Sequence, residues 1–446
     1  MLDQLVRALD ERILNDPTLD RSQFEKLVAL QRELGLVYGD RPTCPFLRPH
    51  IISRTEYDTV AHAASIIARA VERLVNHALL DDELLGVIGL TEREAQMARI
   101  DPGYSRLCVS SRLDAYVSGA DFKFFEYNAE TPAGVGDQMQ LEKVLFGLAH
   151  MQEFLRDQPH WRPQPHVRLL SALLDAYRDW GGAAERPHIA IVDWKGVSTE
   201  SEFWILQDYF VAQGFETIIA DPRELDFDGD RLRAGSFAID IVYKRVVIHE
   251  FLERCDANHP LARAYEQRRV CVVNSFRTKI GHKKNVFAIL SDSAYEHLFT
   301  PEEIEVFHRH IPWTRRVTES QTTFAGSSHD LIDLIRRKPE RFVLKPNDDY
   351  GGHGVFIGWE TSPDDWDGAI ALALSRPYVV QERVPMAKHS ITLFSDRVHA
   401  AEVFIDFNPF LFNNEVEGAL IRLSSSTLLN VTSGGGQTAL LVLEDM

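Results

Sequence analysis

The stretch that most constrains this chain is SSRLDAYVSGADFKFFEYNAETPAG, residues 110–134. Strand-favouring runs at 111–117 and 122–128 flank the turn-forming tetrapeptide Ser-Gly-Ala-Asp, which predicts a two-stranded ribbon. Side chains alternate faces along a strand, so Arg112 and Asp114 share one face, as do Glu126 and Asn128. With the turn centred on Ala120, residue i pairs with residue 240 − i, placing Asp114 opposite Glu126 and Arg112 opposite Asn128. Directly opposed Cβ atoms lie roughly 4.5–5.5 Å apart. One guanidinium, two carboxylates and one amide then form a square.

Two carboxylates facing each other across a ladder require positive charge between them. Arg112 supplies part of it. A hard divalent ion suits two carboxylates and an amide oxygen, and magnesium is held by one or two carboxylates together with water and substrate phosphate oxygens. A solvated ribbon with cross-strand ion pairs is the other reading of this pattern, and a one-residue slip in register would break the square.

At 446 residues the chain is too long for one small core and is expected to form two or three packed units. Its 66 acidic against 48 basic residues give a formal charge of −18, which opposes a general nucleic-acid binder. A local basic pocket for nucleotide phosphates stays compatible with that balance. Cys44, Cys108, Cys255 and Cys271 show no Cys-x-x-Cys spacing, so neither a disulfide framework nor a zinc site is expected. The sequence starts without a signal-peptide pattern and contains no run of ~18 apolar residues, so a cytoplasmic protein without a membrane partner is expected.

Helical periodicity covers 2–36 and 56–100, joined by a proline-bearing loop at 39–49; this region reads as a helical lid or scaffold. Helical spacing returns at 138–155. From about 187 short apolar strands alternate with helices (188–192, 217–220, 239–243, 269–273), the signature of a parallel α/β unit. No Gly-x-Gly-x-x-Gly follows the first strand. Asp193, Lys195, Ser198, Thr199, Glu200 and Arg245 follow strand ends, where open α/β sheets bind ligands, although each also reads as a solvent-facing loop residue. The last unit, 281–446, contains RFVLKPNDDYGGHGVFIGW, two strands around a glycine-rich loop, then strands at 378–380, 398–407 and 419–423, with Asp406 and Arg422 near strand ends. The units expected are 1–105 (helical), 106–160 (ribbon and helix), 161–280 (α/β) and 281–446.

Glycines let backbone N–H groups approach phosphate oxygens closely, and Gly351, Gly352 and Gly354 are placed for that; a tight turn is the alternative. Lys345 ends the strand entering the loop, where an ammonium would meet phosphate.

In this order the motifs resemble the ATP-grasp superfamily. VLKP, GGHG and VVQERV look like its phosphate lysine, phosphate loop and adenine hinge. Here Arg-x-Asp and Glu-x-Asn precede the lysine rather than follow the hinge, which resembles the circularly permuted branch that includes glutathionylspermidine synthases and type 2 carboxylate–amine ligase-like proteins. FFEYNAETPAG, VYKRVVIHEFL, VLKPNDDYGGHGV and RLSSSTLLNVTSGGGQ look like signature stretches of the type 2 group. The fold the resemblance implies is mixed α/β, a circularly permuted ATP-grasp with an α/β pre-grasp domain and an N-terminal helical region.

By the same resemblance, Asp114, Glu126 and Asn128 would hold Mg2+, and Arg112 would contact the transferred phosphoryl group. Lys345, Lys284 (or Lys283), Gly351, Gly352, His353, Gly354 and the hinge residues Gln381, Glu382 and Val384 would bind ATP. Glu130, Thr131 and Arg245 are candidates for substrate binding. The implied activity is ATP-dependent ligation of a small-molecule carboxylate to an amine (amino acid, peptide or polyamine class) through an acyl phosphate. A kinase without a ligation step, a non-catalytic nucleotide-binding protein and a metal enzyme without ATP are the competing classes. No Cys–His pairing of an amidase is apparent, so polyamine–glutathione chemistry is not implied.

Overall fold

The computed structural model describes residues 2–39, 41–118, 121–349, 351–426 and 435–445. The turn at Gly119 and Ala120, Tyr350, and residues 427–434 of the RLSSSTLLNVTSGGGQ stretch lie outside the described residues.

An antiparallel sheet sits at the centre. Its strands run in the order Gly436–Thr438, Glu415–Ser424, Val398–Phe412, Ser110–Ser118 and Asp121–Asn128, with Lys388–Phe394 also pairing to Val398–Phe412. The ribbon forms with Asp114 opposite Glu126 and Arg112 opposite Asn128, as the pattern predicts. Beyond Asp114 the pairing shifts by one, so that Ala115 faces Phe124 and Tyr116 faces Lys123. The 240 − i rule therefore holds only on the square's side of this bulge. The extra residue is Phe125, and such an insertion bends its strand and adds twist.

The helical region is built of shorter pieces than its periodicity suggests, because local caps interrupt it. Ser53 and Glu56 form a capping box that starts the helix Arg54–Ala78. Asp81 caps Asp82–Ile88, Gly89 ends it in the left-handed conformation, and Thr91 with Glu94 caps Glu92–Arg99. Ile67, Val71 and Leu74 of the long helix are fully buried in one core with Leu113 and Phe124 of the ribbon and Ile421 and Leu440 from the end of the chain. Leu440–Leu443 lies between His50–Ser53, to which it is parallel, and His160–Trp161.

The expected parallel unit is present as four strands in the order Cys271–Val273, Ile241–Lys244, Ile189–Val192 and Thr217–Ala220. All four residues of Ile189–Val192 are buried, because apolar layers cover both faces of the sheet. A separate antiparallel sheet, ordered Thr314–Arg316, Tyr378–Glu382, Phe342–Pro346 and Phe356–Ile357, carries the glycine loop between its last two strands. Helices Leu331–Arg337 and Pro363–Ser375 close its core around Trp366 and Phe342. Among the described residues no helix is long and apolar enough to cross a membrane.

Candidate active site

The square is present and extends into a chain of opposite charges. Arg112 donates from Nε to Asp114 Oδ1 at 2.7 Å and from Nη2 to Oδ2 at 3.1 Å, and Asn128 Nδ2 donates to Oδ1 at 3.1 Å. Arg422, three hundred residues later, donates from Nη2 to Asp114 Oδ2 at 2.9 Å and from Nε to Asp406 Oδ2 at 2.8 Å. Asn408 Nδ2 completes the Asp406 carboxylate at 2.6 Å. Burial favours neutral Asp114, but the Arg112 and Arg422 guanidiniums outweigh it and hold the group below the usual carboxylate range. Burial pushes Asp406 up to about 6 in spite of Arg422. The sequence places Arg422 at the start of the RLSSSTLLNVTSGGGQ stretch and Asp406 near a strand end, and neither position assigns a role. Their signal is the FIDFN stretch, where Asp406 and Asn408 share one face of an otherwise apolar strand.

Glu126 meets the lysines. Lys284 Nζ lies 3.1 Å from Glu126 Oε1 and donates to Asp349 O at 2.8 Å. Lys345 Nζ donates to Gln381 Oε1 at 2.7 Å and sits 5.1 Å from the Phe125 ring centre. Burial pulls Lys345 down to about 8, against the pull of Glu126. Burial also opposes the charge of Glu126, yet Lys284 and Lys345 keep it below its ordinary value despite Asp114. Lys283 points elsewhere, 2.7 Å from Asp348 and 2.9 Å from Glu94.

Asp114, Glu126, Lys284, Lys345, Asp406 and Arg422 line one cleft together with Gly351, Gly352, His353, Gln381, Glu382 and Val384, while Arg112 and Asn128 face the chamber beside it. The early ribbon and the late glycine loop therefore meet at one cavity. Tyr116 and Phe125, stacked at 4.4 Å, with Trp359 and Phe404, give it aromatic walls. Gly354 does not line it. At φ +67° a Cβ there would meet Pro346 Cγ at 2.8 Å, so this glycine shapes the loop's exit strand.

A second chamber shares Asp114, Glu126, Gly351 and Arg422 with the cleft and reaches the ends of the parallel strands at Asp193, Ser198, Thr199 and Arg245. Lys195 and Glu200 are not on its wall: Lys195 pairs with Glu224, and Glu200 accepts from the Gly196 N–H at 3.3 Å. Glu130 and Thr131 are on the wall but engaged internally. Glu130 Oε2 accepts from the Ile248 N–H at 2.9 Å, Lys279 Nζ lies 2.7 Å from Oε1, and Thr131 Oγ1 donates to Arg245 O at 3.0 Å. Arg245 donates to Pro132 O at 2.6 Å and faces Glu202 at 3.4 Å.

The donor set of two carboxylates and an amide is chemically suited to magnesium. Glu126 has a second oxygen beyond the one facing Lys284, and Asn128, which gives its NH2 to Asp114, has its amide oxygen in reserve. Asp114 accepts two donors on each oxygen, so an ion bound there would displace one of them. Glu130, His282 and Asp348 are also close enough to share an ion, but Lys279 lies 2.7 Å from both carboxylates and already supplies the positive charge.

No family model matches the chain. A candidate glutamate–cysteine ligase 2-2 of Frankia casuarinae is 23% identical over 92% of this chain and 48% of its own length. The chain thus spans about half of that relative. An uncharacterized protein of Mycobacterium tuberculosis is 24% identical over 91% of this chain and 74% of its own. Among solved structures, a glutathione synthetase-like effector of Globodera pallida superposes with a TM-score of 0.60 at 14% identity, covering 96% of this chain and 98% of the other. That likeness is one of fold.

Proposed function

We propose that this chain, a distant relative of the circularly permuted ATP-grasp proteins of glutathione synthetase-like and γ-glutamylcysteine synthetase-like type, is an ATP-dependent carboxylate–amine ligase. The observation that carries the reading is the wall common to the two cavities, where Asp114, Glu126 and Arg422 face both the lysine-and-glycine cleft and the chamber at the strand ends.

In this reading ATP occupies the cleft. Its base lies along 381–384 between the aromatic walls, and its phosphates lie toward Lys284, Lys345 and the N–H groups of Gly351 and Gly352. A carboxylate oxygen of the substrate attacks the γ-phosphorus and ADP leaves. The amine then attacks the acyl carbon, phosphate leaves, and the amine's proton is released as the amide forms. Arg112, held by Asp114 with Nη1 on Ala133 O at 2.9 Å, is presented in a fixed orientation to the charge that develops at the transferred group. Glu126, Asn128 and Asp114 would hold Mg2+, which when bound neutralises phosphate charge.

The test is ADP release across amino acids and small peptides, with and without amines, and with hydroxylamine to trap an acyl phosphate. Arg112→Ala and Glu126→Ala are expected to lose about 2–4 kcal/mol of barrier lowering with the fold intact. Near-normal ADP release from either variant would count against the assignment. ADP release with a phosphorylated product and no amide would make the protein a kinase.

A further inference from the structure

A separate groove of about 440 Å3 shares no lining residue with the cleft or the chamber. It runs between Val87 of the helical region, the 3-10 helix Ser293–Leu298, the edge strand Thr314–Arg316 and the hairpin formed by Gln321–Phe324 and Ser327–Asp330. Sites for small molecules occupy roughly 300–1,000 Å3, so the groove is large enough to hold one. The chain has a formal charge of −18, yet the described residues lining the groove set two guanidiniums, Arg315 and Arg316, against one carboxylate, Asp292.

Arg315 is built into the wall. Its side chain is 14% exposed, Nη1 donates to Ser291 O at 3.0 Å and to Thr314 O at 2.7 Å, and Nε faces Asp292 Oδ2 at 3.4 Å. Nη2 has no hydrogen-bond partner among the described residues and is not sealed from solvent. A guanidinium held in one orientation thus keeps N–H groups for a ligand. Burial strips this cation of hydration, and Asp292, whose Oδ1 also accepts from the Ala294 N–H at 3.1 Å, offsets only part of that cost. An anion in the groove would offset more of it. Arg316 is exposed, forms no ion pair among the described residues, and lies within electrostatic reach of Tyr295 on the same lining. Ser293, Thr323 and Ser328, all exposed, add hydroxyls. Guanidinium forks match oxyanions, and a phosphoryl group, with three acceptor oxygens, uses more of these donors than a carboxylate does.

We infer that the groove is an effector site for a small phosphate ester, with phosphoryl oxygens on Arg315 Nη2, charge balanced by Arg316, and the ester's polar body along the hydroxyls. Its occupancy reaches the nucleotide cleft by a short route. Ser291 Oγ accepts from Arg315 Nη1 at 3.3 Å and from the Thr314 N–H at 3.1 Å. Thr314 Oγ1 accepts from Gln381 Nε2 at 3.0 Å, and Gln381 Oε1 accepts from Lys345 Nζ at 2.7 Å. Steadying Arg315 therefore steadies Lys345, so ester and nucleotide tighten each other by the same factor. The inference rests on the ligase reading only for calling the cleft a nucleotide site.

The experiment titrates β-glycerophosphate, glucose-6-phosphate, inorganic phosphate, succinate and glucose into the full chain by calorimetry. Each is run alone and with magnesium and a non-hydrolysable ATP analogue filling the cleft. At least one ester is expected to bind with the cleft filled, more tightly than inorganic phosphate or succinate, while glucose does not bind. Arg316→Glu, a surface change, should weaken that ester at least about tenfold and leave the analogue's own affinity unchanged. A bound ester should tighten the analogue several-fold in the unmodified chain. Absence of ester binding with the cleft filled, equal binding by Arg316→Glu, equal binding of succinate or inorganic phosphate, or an analogue affinity that a bound ester leaves unchanged would each overturn the inference. Should the analogue itself fail to bind, the ligase reading falls. The titrations without nucleotide then decide the groove, because an ester bound there is lost in Arg316→Glu and kept in Lys345→Met, whereas an ester bound in the cleft behaves the opposite way.

Discussion

Buried cations in this molecule illustrate how partners decide the sign of a contribution. Arg422 is shared between Asp114 and Asp406, and removing it leaves buried Asp406 without a cation while Asp114 keeps Arg112 alone. Arg422→Met is expected to cost about 3–5 kcal/mol in chemical denaturation and to abolish turnover. Lys244 has 0% exposure, no ion-pair partner among the described residues, and one long contact to Val246 O at 3.4 Å. Burial pulls it down to about 8 from 10.5. The folded state therefore binds fewer protons than the unfolded chain between those values, so stability should rise with pH across that window, and below it the full cost of the buried charge remains. Lys244→Met is expected to stabilise the protein at pH 7 by on the order of 1–3 kcal/mol and to flatten the rise above pH 8. Denaturation midpoints at pH 7 and pH 9.5 check both statements.

At the level of elements, the features legible in the sequence were those set by neighbours along the chain. The ribbon's alternation and turn residues fixed the opposition of Asp114 and Glu126 without help from elsewhere. The bulge at Phe125 was not legible, because it arises where Lys345 and the cleft wall pack on the ribbon, 220 residues away. Arg422 escaped a role for the same reason. The glycine loop shows which glycines a motif needs and why. Gly351→Ala makes an ordinary contact, 3.9 Å to the His353 ring, and should cost only the left-handed backbone penalty of about 1 kcal/mol. Gly354→Ala adds contacts of 2.8 Å to Pro346 and 3.0 Å to the Tyr378 hydroxyl, so it should weaken ATP binding several-fold more than Gly351→Ala. Titrating both variants with ATP tests that order.

Across the whole molecule, one buried ion cluster joins regions distant in sequence. Lys279 and Lys283 bring together Glu94 of the helical region, Glu130 beyond the ribbon and Asp348 of the glycine-loop sheet. Burial favours neutral Glu130, yet Lys279 and His282 bring it down to about 2 from 4.5. Its contribution is complete above 4.5 and is lost as pH falls toward 2, so Lys279→Met should lower stability at pH 7 and reduce the slope of stability between pH 4.5 and 2. Equilibrium unfolding at pH 6, 4 and 3 checks it. The order of strands in the central sheet has a further consequence for how the protein is made. Synthesis runs from the N-terminus, and the strand that covers the open edge of the ribbon bearing Asp114, Val398–Phe412, emerges nearly 300 residues after it. While those intervening residues are made the nascent chain carries a bare strand edge with no native neighbour, the interval in which wrong pairings are most accessible and chaperones have most to protect.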